Sequence, residues 1–438
     1  MAIKMTKFGG SSMADAAQLR KVKAIIEADP ARQFVVPSAP GKRFPGDDKV
    51  TDLLYLCYAQ QADGVSFDNT FDAITQRYVE IERELGLSTD IASELRAIRR
   101  NLENGASEDY MASRGEYLTA RLLAAATGFP FVDAGELIRF HEDGSLNDSA
   151  TQKASSALKA YPCAVIPGFY GTYPDGEICT FSRGGSDITG SLVARAVQAE
   201  VYENWTDVDG ILMADPRLVA TPPILPAVSY GELRELSYMG ASVLHEDAIF
   251  PVQRARIPIH VRNTNHPDRS GTWIVNDGAL SSSLRTGAVT GIAGKRGFTA
   301  ITLTKDGLRR HRDFAARLLN ILLRYDIAVE SMPSGIDNIS VILHDSDIRG
   351  KMDALYHDIK EELQPDTLEI ASCIALIATV GKGMARNPGI AARLLKAVAQ
   401  AGVNVRILDQ GPSEMNIIVG VEQRDFETAY RAIYSAFC

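Results

Sequence analysis

The chain has 438 residues, of which 45% are hydrophobic and 23% charged, a composition typical of a globular protein with two or three domains. Its formal net charge of −9 argues against a general nucleic-acid-binding protein, which needs a basic face for the phosphates. We find no apolar run near the ~18 residues of a membrane span, and no apolar core of a signal peptide at the N-terminus. The five scattered cysteines predict reduced thiols in a cytoplasmic protein.

Short apolar runs alternate with amphipathic segments over the first two-thirds of the chain. The runs predict buried strands at 34–36, 131–132, 164–166 and 257–259. Between them, patterns such as Leu19, Val22 and Ile25 predict helices. This alternation predicts the α/β class, with a mainly parallel sheet covered by helices on both faces. Ligands of such sheets bind beyond the carboxyl ends of the strands.

The last third of the chain contains an internal repeat. A stretch rich in glycine and serine, 277–297, predicts a connector before it. The sequence AARLL then occurs at 315–319 and again at 391–395. Each copy predicts a helix, a short strand (327–329 or 403–405), a polar turn and a second strand (339–343 or 417–421). Two βαββ-like units of this size can pair their sheets.

Two glycine pairs stand at predicted strand-to-helix turns. Lys7 precedes Gly9-Gly10-Ser11, and Arg183 precedes Gly184-Gly185-Ser186-Asp187. A glycine pair lets backbone N–H groups approach a phosphate, and the start of a helix favours an anion. The planar guanidinium of Arg183 suits a carboxylate. Either motif alone also fits a tight connection, but two in one domain favour the anion-binding interpretation.

Two acidic segments are less specific. The segment 205–217 lacks the pattern of a calcium loop, so a turn is its simplest interpretation. Glu116 stands at the head of a predicted helix, where the helix dipole explains an acidic residue. In a cleft, Glu116 would instead bind a substrate ammonium group.

Taken together, these segments resemble the aspartate kinase family almost end to end. The motifs, in the family's order, are KFGGSS at 7–12, SRGE at 113–116, PGFYG at 167–171, FSRGGSD at 181–187, WTDVDGILMADPR at 205–217 and VLHEDAI at 243–249. The resemblance implies a three-layer α/β/α amino-acid-kinase domain over 1–285. The repeat is similar to the family's tandem ferredoxin-like ACT regulatory domains, expected at 298–370 and 371–438, with interleaving of the two left open.

The resemblance also implies a reaction and its partners. ATP with Mg²⁺ would phosphorylate the β-carboxylate of L-aspartate to give 4-phospho-L-aspartate, the first step of lysine, threonine and methionine biosynthesis. An amino-acid effector would regulate the enzyme through the ACT domains, and the sequence does not choose between lysine and threonine. A homodimer, or a dimer of dimers, would assemble through those domains.

The family's roles carry over by position. Catalytic roles fall on Lys7, Arg183 and Asp187. The aspartate site is implied to comprise Thr51, Glu116, Arg183, Gly184, Gly185 and Ser186. The nucleotide site is implied to comprise Lys7, Gly9, Gly10, Ser11, Thr206, Asp207 and Arg217. The effector would meet Gln410, Glu414 and Asn416, and no side chain is assigned to a metal. Because the attacking carboxylate has a pKa near ~3.9, no general base is needed, and Asp187 would bind the ammonium group or order its loop.

The chain departs from the family's pattern in three places. Ser242 replaces a lysine expected near the nucleotide, and Pro412 replaces a usual serine of the effector segment. The common Ser-Ala-Met turn reads Ser38-Ala39-Pro40, followed after a glycine by Lys42 and Arg43. Either of these two cations is a candidate for the missing charge.

The sequence leaves two alternatives open. One is a kinase of the same fold that acts on another acidic substrate, such as glutamate. The other is an amino-acid sensor with a degenerate kinase half, which Ser242 favours. A dinucleotide oxidoreductase is excluded because no Gly-x-Gly-x-x-Gly sequence follows the first predicted strand.

Overall fold

The computed structural model describes residues 2–182, 184–241, 244, 248–278, 287–385 and 387–438. The chain divides into two compact units. The first unit comprises Met1–Ile211, Ile224–Arg234 and Ser242–Arg285. The second unit comprises Leu212–Pro223, Glu235–Ala241 and Thr286–Cys438. None of the helices in the described ranges is both long enough and apolar enough to cross a membrane.

The first unit is built on a mainly parallel sheet. Its strands are β1 (Lys4–Phe8), β2 (Arg32–Pro37), β3 (Ala164–Val165), β4 (Tyr170–Thr172), β5 (Ile178–Thr180), β6 (Val201–Thr206), β7 (Ala227–Ser229), β8 (Ile259–Asn263) and β9 (Thr272–Val275). Among the described residues, seven of them form one sheet in the order β3-β2-β1-β6-β8-β9-β7, while β4 pairs with β5. Every neighbouring pair in the larger sheet is parallel except β8 with β9. The predicted α/β class is confirmed.

Helices surround this sheet. They are α1 (Ala16–Glu27), α2 (Val50–Ala62), α3 (Asp68–Leu85), α4 (Ile91–Glu103), α5 (Glu108–Thr127), α6 (Ala134–Leu137), α7 (Asp148–Ser155), α8 (Gly185–Ala196), α9 (Tyr230–Tyr238) and α10 (Ile249–Ala255). Helix α1 buries Leu19, Val22 and Ile25, the stripe that the sequence predicts. The same core holds side chains of α2 to α5, because residues three or four apart share one face of a helix. Helix α9 begins in the first unit and ends in the second.

The second unit contains the repeat. Its strands are β10 (Gly291–Thr304), β11 (Asn338–His344), β12 (Thr367–Val380), β13 (Ile407–Asp409) and β14 (Asn416–Glu422), in the sheet order β11-β10-β12-β14-β13. Its helices are α11 (Phe314–Arg324), α12 (Asp345–Ile348), α13 (Met352–Leu363), α14 (Ile390–Gln400) and α15 (Phe426–Phe437).

The two repeats share the long strands β10 and β12. Strand β11 pairs with residues 298–304 of β10, whereas β14 pairs with residues 374–380 of β12. The β10–β12 register shifts next to Gly297, whose φ is +87°, and Cys373 on β12 has a φ of +59°. Each long strand therefore serves one repeat with its first half and the other with its second, so the repeats interleave. The predicted domain borders themselves stay a prediction.

Several predicted elements were misplaced. The short strands predicted at 327–329 and 403–405 are wrong, because the second repeat has β13 at 407–409 and the first has only isolated bridges at Ser331 and Ser334. At 131–132 there is one bridge to Val165 rather than a strand. The predicted connector overlaps β10, because Gly291 and Gly294 permit close packing there. A Cβ on Gly294 would lie 2.7 Å from the Phe426 ring.

Candidate active site

Lys7 and Asp187 form an ion pair at the carboxyl end of β1. Lys7 Nζ lies 2.7 Å from Asp187 Oδ1, and both side chains are at least four-fifths buried. Asn204 on β6, the register neighbour of Lys7, donates from Nδ2 to the same carboxylate oxygen at 2.8 Å. Asp187 stands in the first turn of α8. Strands β1 and β6 and helix α8 thus fix the Lys7 ammonium group before any ligand binds.

The glycine turn after β1 is enclosed on two sides. The Gly9 N–H donates to Trp205 O at 3.0 Å, and the Ser12 N–H donates to Gly9 O at 2.9 Å. A Cβ on Gly9 would lie 3.7 Å from Lys7 Nζ, and one on Gly10 would lie 3.0 Å from Ala39 O. The Ala39 carbonyl therefore restricts the residue at position 10, and the turn lies beside a buried ammonium group, an arrangement suited to a phosphate.

The start of α8 packs against the segment 167–171. Gly184 caps the helix in the left-handed region, with a φ of 60°. A Cβ on Gly185 would lie 2.5 Å from the Phe169 ring, and one on Gly168 would lie 2.6 Å from Ser186 Oγ. Phe169 itself has a φ of 80°, a strained conformation for a residue with a side chain. Such strain is common in binding loops. The predicted Arg183 lies outside the described residues.

Glu116 is a buried carboxyl group inside α5. Its side chain is 5% exposed, and its Oε2 has no hydrogen-bond partner in the described structure. Burial raises the pKa of Glu116 to about 7, a rise that the Ala39 backbone N–H and the Lys7 charge oppose. The first-turn interpretation of Glu116 was wrong, because α5 begins at Glu108. An unpaired buried carboxylate oxygen is suited to a substrate ammonium group.

The other predicted substrate and nucleotide contacts are spread over a helix, a strand end and the second unit. Thr51 is the second residue of α2 and is half-buried. Thr206 ends β6 and donates from Oγ1 to Asp207 Oδ1 at 3.2 Å. By register, Thr206 stands at the same sheet end as Lys7. Arg217 belongs to the second unit, where its Nη2 lies 2.7 Å from Asp215 Oδ2.

Comparison with known proteins shows the family. A sequence model of the amino acid kinase family matches residues 3–263, and an ACT domain model matches residues 377–437. Aspartokinase 3 of Bacillus subtilis (strain 168) is 37% identical, over 99% of this chain and 98% of that protein. The chain belongs to the aspartate kinase family.

Solved structures agree with this membership. The crystal structure of the Clostridium acetobutylicum aspartate kinase has a TM-score of 0.94 and 49% identity, and the match covers 100% of both chains. Escherichia coli aspartokinase III in complex with aspartate and ADP is 24% identical, with a TM-score of 0.77 over 99% of both chains. The similarity to the Escherichia coli structure shows the fold alone. The predicted amino-acid-kinase fold with ACT domains is confirmed by the family models and the Clostridium structure.

In this aspartate kinase fold, the predicted effector residues flank the turn between β13 and β14. Gln410 directly follows β13 and is exposed, whereas Glu414 and Asn416 are half-buried. Asn416 is the first residue of β14, and its Nδ2 donates to Glu235 Oε2 of α9 at 2.5 Å. Sequence reasoning missed Glu235, because nothing local to α9 indicates a partner 181 residues away.

Sequence reasoning also missed Asn204 of the candidate active site. A signal was present, since Asn204 is a polar residue within a strand whose residues 201–205 are all buried. Buried polar side chains are normally hydrogen-bonded. An amide in the central strand next to the one that carries Lys7 therefore predicts a partner near that lysine.

Proposed function

We propose that this chain transfers the γ-phosphoryl group of ATP to the β-carboxylate of L-aspartate, forming 4-phospho-L-aspartate. The observation that carries the proposal is the buried Lys7–Asp187–Asn204 cluster beside the glycine turn. Phosphoryl transfer requires positioning and charge stabilisation more than covalent help. The nucleophile is already ionised at neutral pH, so the absence of a general base in this assignment is no obstacle.

Each side chain has one task in this mechanism. Lys7 stabilises the charge that develops on the transferred phosphoryl group, and Asp187 orients Lys7. The unpaired oxygen of Glu116 accepts the substrate ammonium group. Arg183 binds the α-carboxylate through two parallel hydrogen bonds, which leaves the β-carboxylate facing ATP.

The nucleotide would arrive with Mg²⁺. The donor set fits this complex, because backbone N–H groups and an ammonium group suit the phosphates, and Mg²⁺ takes most of its ligands from phosphate oxygens and water. When bound, the ion would supply further neutralisation of phosphate charge. The cytoplasmic location and the place in lysine, threonine and methionine synthesis stay predictions.

The reaction is tested by trapping the acyl phosphate. Purified protein, ATP and Mg²⁺ are incubated with hydroxylamine and either aspartate or glutamate, and hydroxamate is measured. Aspartate-dependent hydroxamate supports the proposal, whereas formation only with glutamate would favour the alternative substrate. Tight amino-acid binding without any hydroxamate would favour the degenerate sensor.

Arg183→Lys is expected to raise the KM for aspartate about 10-fold or more while changing the KM for ATP little. An ammonium group cannot reproduce the two parallel hydrogen bonds of a guanidinium, each worth about 1.5–3 kcal/mol to a charged partner. Steady-state kinetics with each substrate varied in turn measures the two KM values separately. Arg195→Lys, in the last turn of α8 where Arg195 pairs with Asp148, is the matched control. An unchanged KM for aspartate in Arg183→Lys would remove Arg183 from the site.

We further propose that an amino acid inhibits the enzyme through the turn between β13 and β14. Asn416→Ala should raise the inhibitory concentration of the effector about 2- to 10-fold, the loss of one hydrogen bond worth about 0.5–1.5 kcal/mol, and leave the uninhibited kcat unchanged. Titrations of wild type and variant with lysine, threonine and both together identify the effector. Equal inhibition of the two proteins would show that Asn416 is not part of its site.

The second unit also presents a candidate surface for self-association. Leu319 and Leu323, one helical turn apart on α11, are 40% and 72% exposed. Exposed leucines in one stripe suit a second copy of the same helix. The dimer through the ACT domains stays a prediction with these two leucines as a candidate contact, and sedimentation velocity would measure the oligomeric state.

A further inference from the structure

The loop between β2 and α2 lies directly on the glycine turn. The Gly41 N–H donates to Gly10 O at 2.8 Å, and the Ser38 N–H donates to Phe8 O at 3.0 Å. A Cβ on Gly41 would lie 2.7 Å from Gly10 C and 2.9 Å from Ser11 N. The backbone at Gly41 therefore contacts the backbone of the glycine turn directly. The next residue, Lys42, begins beside the predicted phosphate site.

A buried ion-pair cluster fixes this loop. Arg77 of α3 is 5% exposed and donates from Nη2 to both oxygens of Asp47, at 2.9 and 3.1 Å. Its Nη1 donates to Gly41 O at 3.2 Å. Arg43 Nε donates to Asp47 Oδ2 at 2.9 Å, and Arg43 also holds the pKa of that carboxyl far below its usual range. The Val50 N–H, bonded to Pro40 O at 3.1 Å, closes the loop.

This cluster decides between the two candidate cations. The Arg43 guanidinium is occupied by Asp47 through both Nε and Nη2. Lys42 is exposed and has no carboxylate within 4.0 Å in the described part of the chain. Its flexible four-carbon stem begins one residue from the contact between Gly41 and Gly10.

We propose that Lys42 binds the terminal phosphates of the nucleotide, and that the Arg77–Asp47 pair is the positioning element that holds it there. This proposal rests on the proposed kinase function.

The test is calorimetric titration with ATP and Mg²⁺ in the absence of aspartate, so that no turnover is required. Lys42→Met is expected to raise the Kd for ATP about 10-fold, the loss of one charge-assisted hydrogen bond. Lys42→Arg, which keeps the charge, should stay within about 3-fold of wild type. Lys49→Met, the same charge change at the other end of the loop, is the matched control and should bind ATP as wild type does.

Asp47→Asn tests the positioning role. It should weaken ATP binding in the wild-type background and add nothing in the Lys42→Met background, because the Arg77–Asp47 pair acts through Lys42. A purely structural role of Asp47 would lower Tm in both backgrounds and weaken ATP binding equally in both, which would overturn the positioning claim.

The remaining outcomes separate this inference from the kinase proposal. Unchanged ATP affinity in Lys42→Met, or equal losses in Lys42→Met and Lys49→Met, would overturn the role of Lys42 even if wild type forms aspartyl hydroxamate. A specific loss in Lys42→Met alone would support Lys42 as a phosphate contact even if wild type forms no hydroxamate. In kinetics, Lys42→Met must raise the KM for ATP far more than the KM for aspartate, and equal effects would contradict the proposal.

Discussion

Lys7→Ala is expected to lower kcat by about 100-fold or more, the scale of losing one preorganised donor to a transition state. The Lys7 ammonium group is held by Asp187 in a largely buried position, so no reorganisation is needed when charge develops on the phosphoryl group. Water that replaces the side chain would be neutral and mobile. The KM for aspartate should change far less than kcat, because Lys7 acts on the transferred group.

The measurement is the rate of hydroxamate formation at saturating ATP and aspartate. Lys4→Ala is a matched control, since Lys4 is on the same strand and pairs with Asp29 at 2.8 Å, away from the glycine turn. Lys4→Ala should retain kcat within about 2-fold, because partly exposed ion pairs contribute little. A kcat for Lys7→Ala close to that of wild type would refute the assignment of Lys7 to the transition state.

The fold could be predicted because its signals are local and repeated. Apolar runs of strand length alternate with helical stripes such as that of α1, and this alternation defines a parallel α/β unit. The second AARLL segment marks a repeat, and each copy indeed begins a helix, α11 or α14. The predicted connector failed because of its glycines, since Gly294 permits close packing in β10 rather than a flexible connection.

The site could be predicted only as far as its motifs reach. Lys7, the glycine turn and the start of α8 are contiguous signals, and the structure brings Lys7 and Asp187 together. The groups that hold them are distant in sequence. Asn204 meets Asp187 across 17 residues, and Arg77 meets Asp47 across 30, so no periodicity or turn rule connects them. Such partners depend on the packing of strands and helices, which a single sequence does not specify.

Glu116→Gln is expected to stabilise the protein at pH 8 and, at the same pH, to raise the KM for aspartate about 100-fold. Both effects have one cause. Glu116 is buried with one oxygen unpaired, and burial raises its pKa from the usual 4.5 to about 7. The folded protein therefore carries an unfavourable carboxylate above pH 7, which the substrate ammonium group would neutralise. Glutamine resembles the protonated carboxyl and carries no charge.

The sign of the stability effect follows from proton linkage. Because the folded state holds the Glu116 proton more tightly than the unfolded chain, the favourable contribution is complete below about pH 4.5 and is lost as the pH rises to about 7. The loss amounts to roughly 3 kcal/mol, at about 1.4 kcal/mol for each pKa unit. The free energy of unfolding of Glu116→Gln, measured with denaturant, should thus exceed that of wild type at pH 8 and equal it at pH 4. Glu108→Gln, exposed on the same helix, should show neither change.

Aspartate binding depends on pH in the opposite direction to folding stability. Wild type should bind aspartate more weakly as the pH falls below about 7, because a protonated Glu116 cannot pair with the ammonium group. Glu116→Gln should have a high KM at every pH in this window, since removing one partner of a buried charge pair costs about 2–5 kcal/mol. Binding of aspartate near pH 7 should also release a proton in wild type and none in the variant, which calorimetry in buffers of different ionisation enthalpy measures. A variant that is stabilised at pH 8 yet keeps the wild-type KM would show that Glu116 is a strained core residue and that another group binds the substrate ammonium.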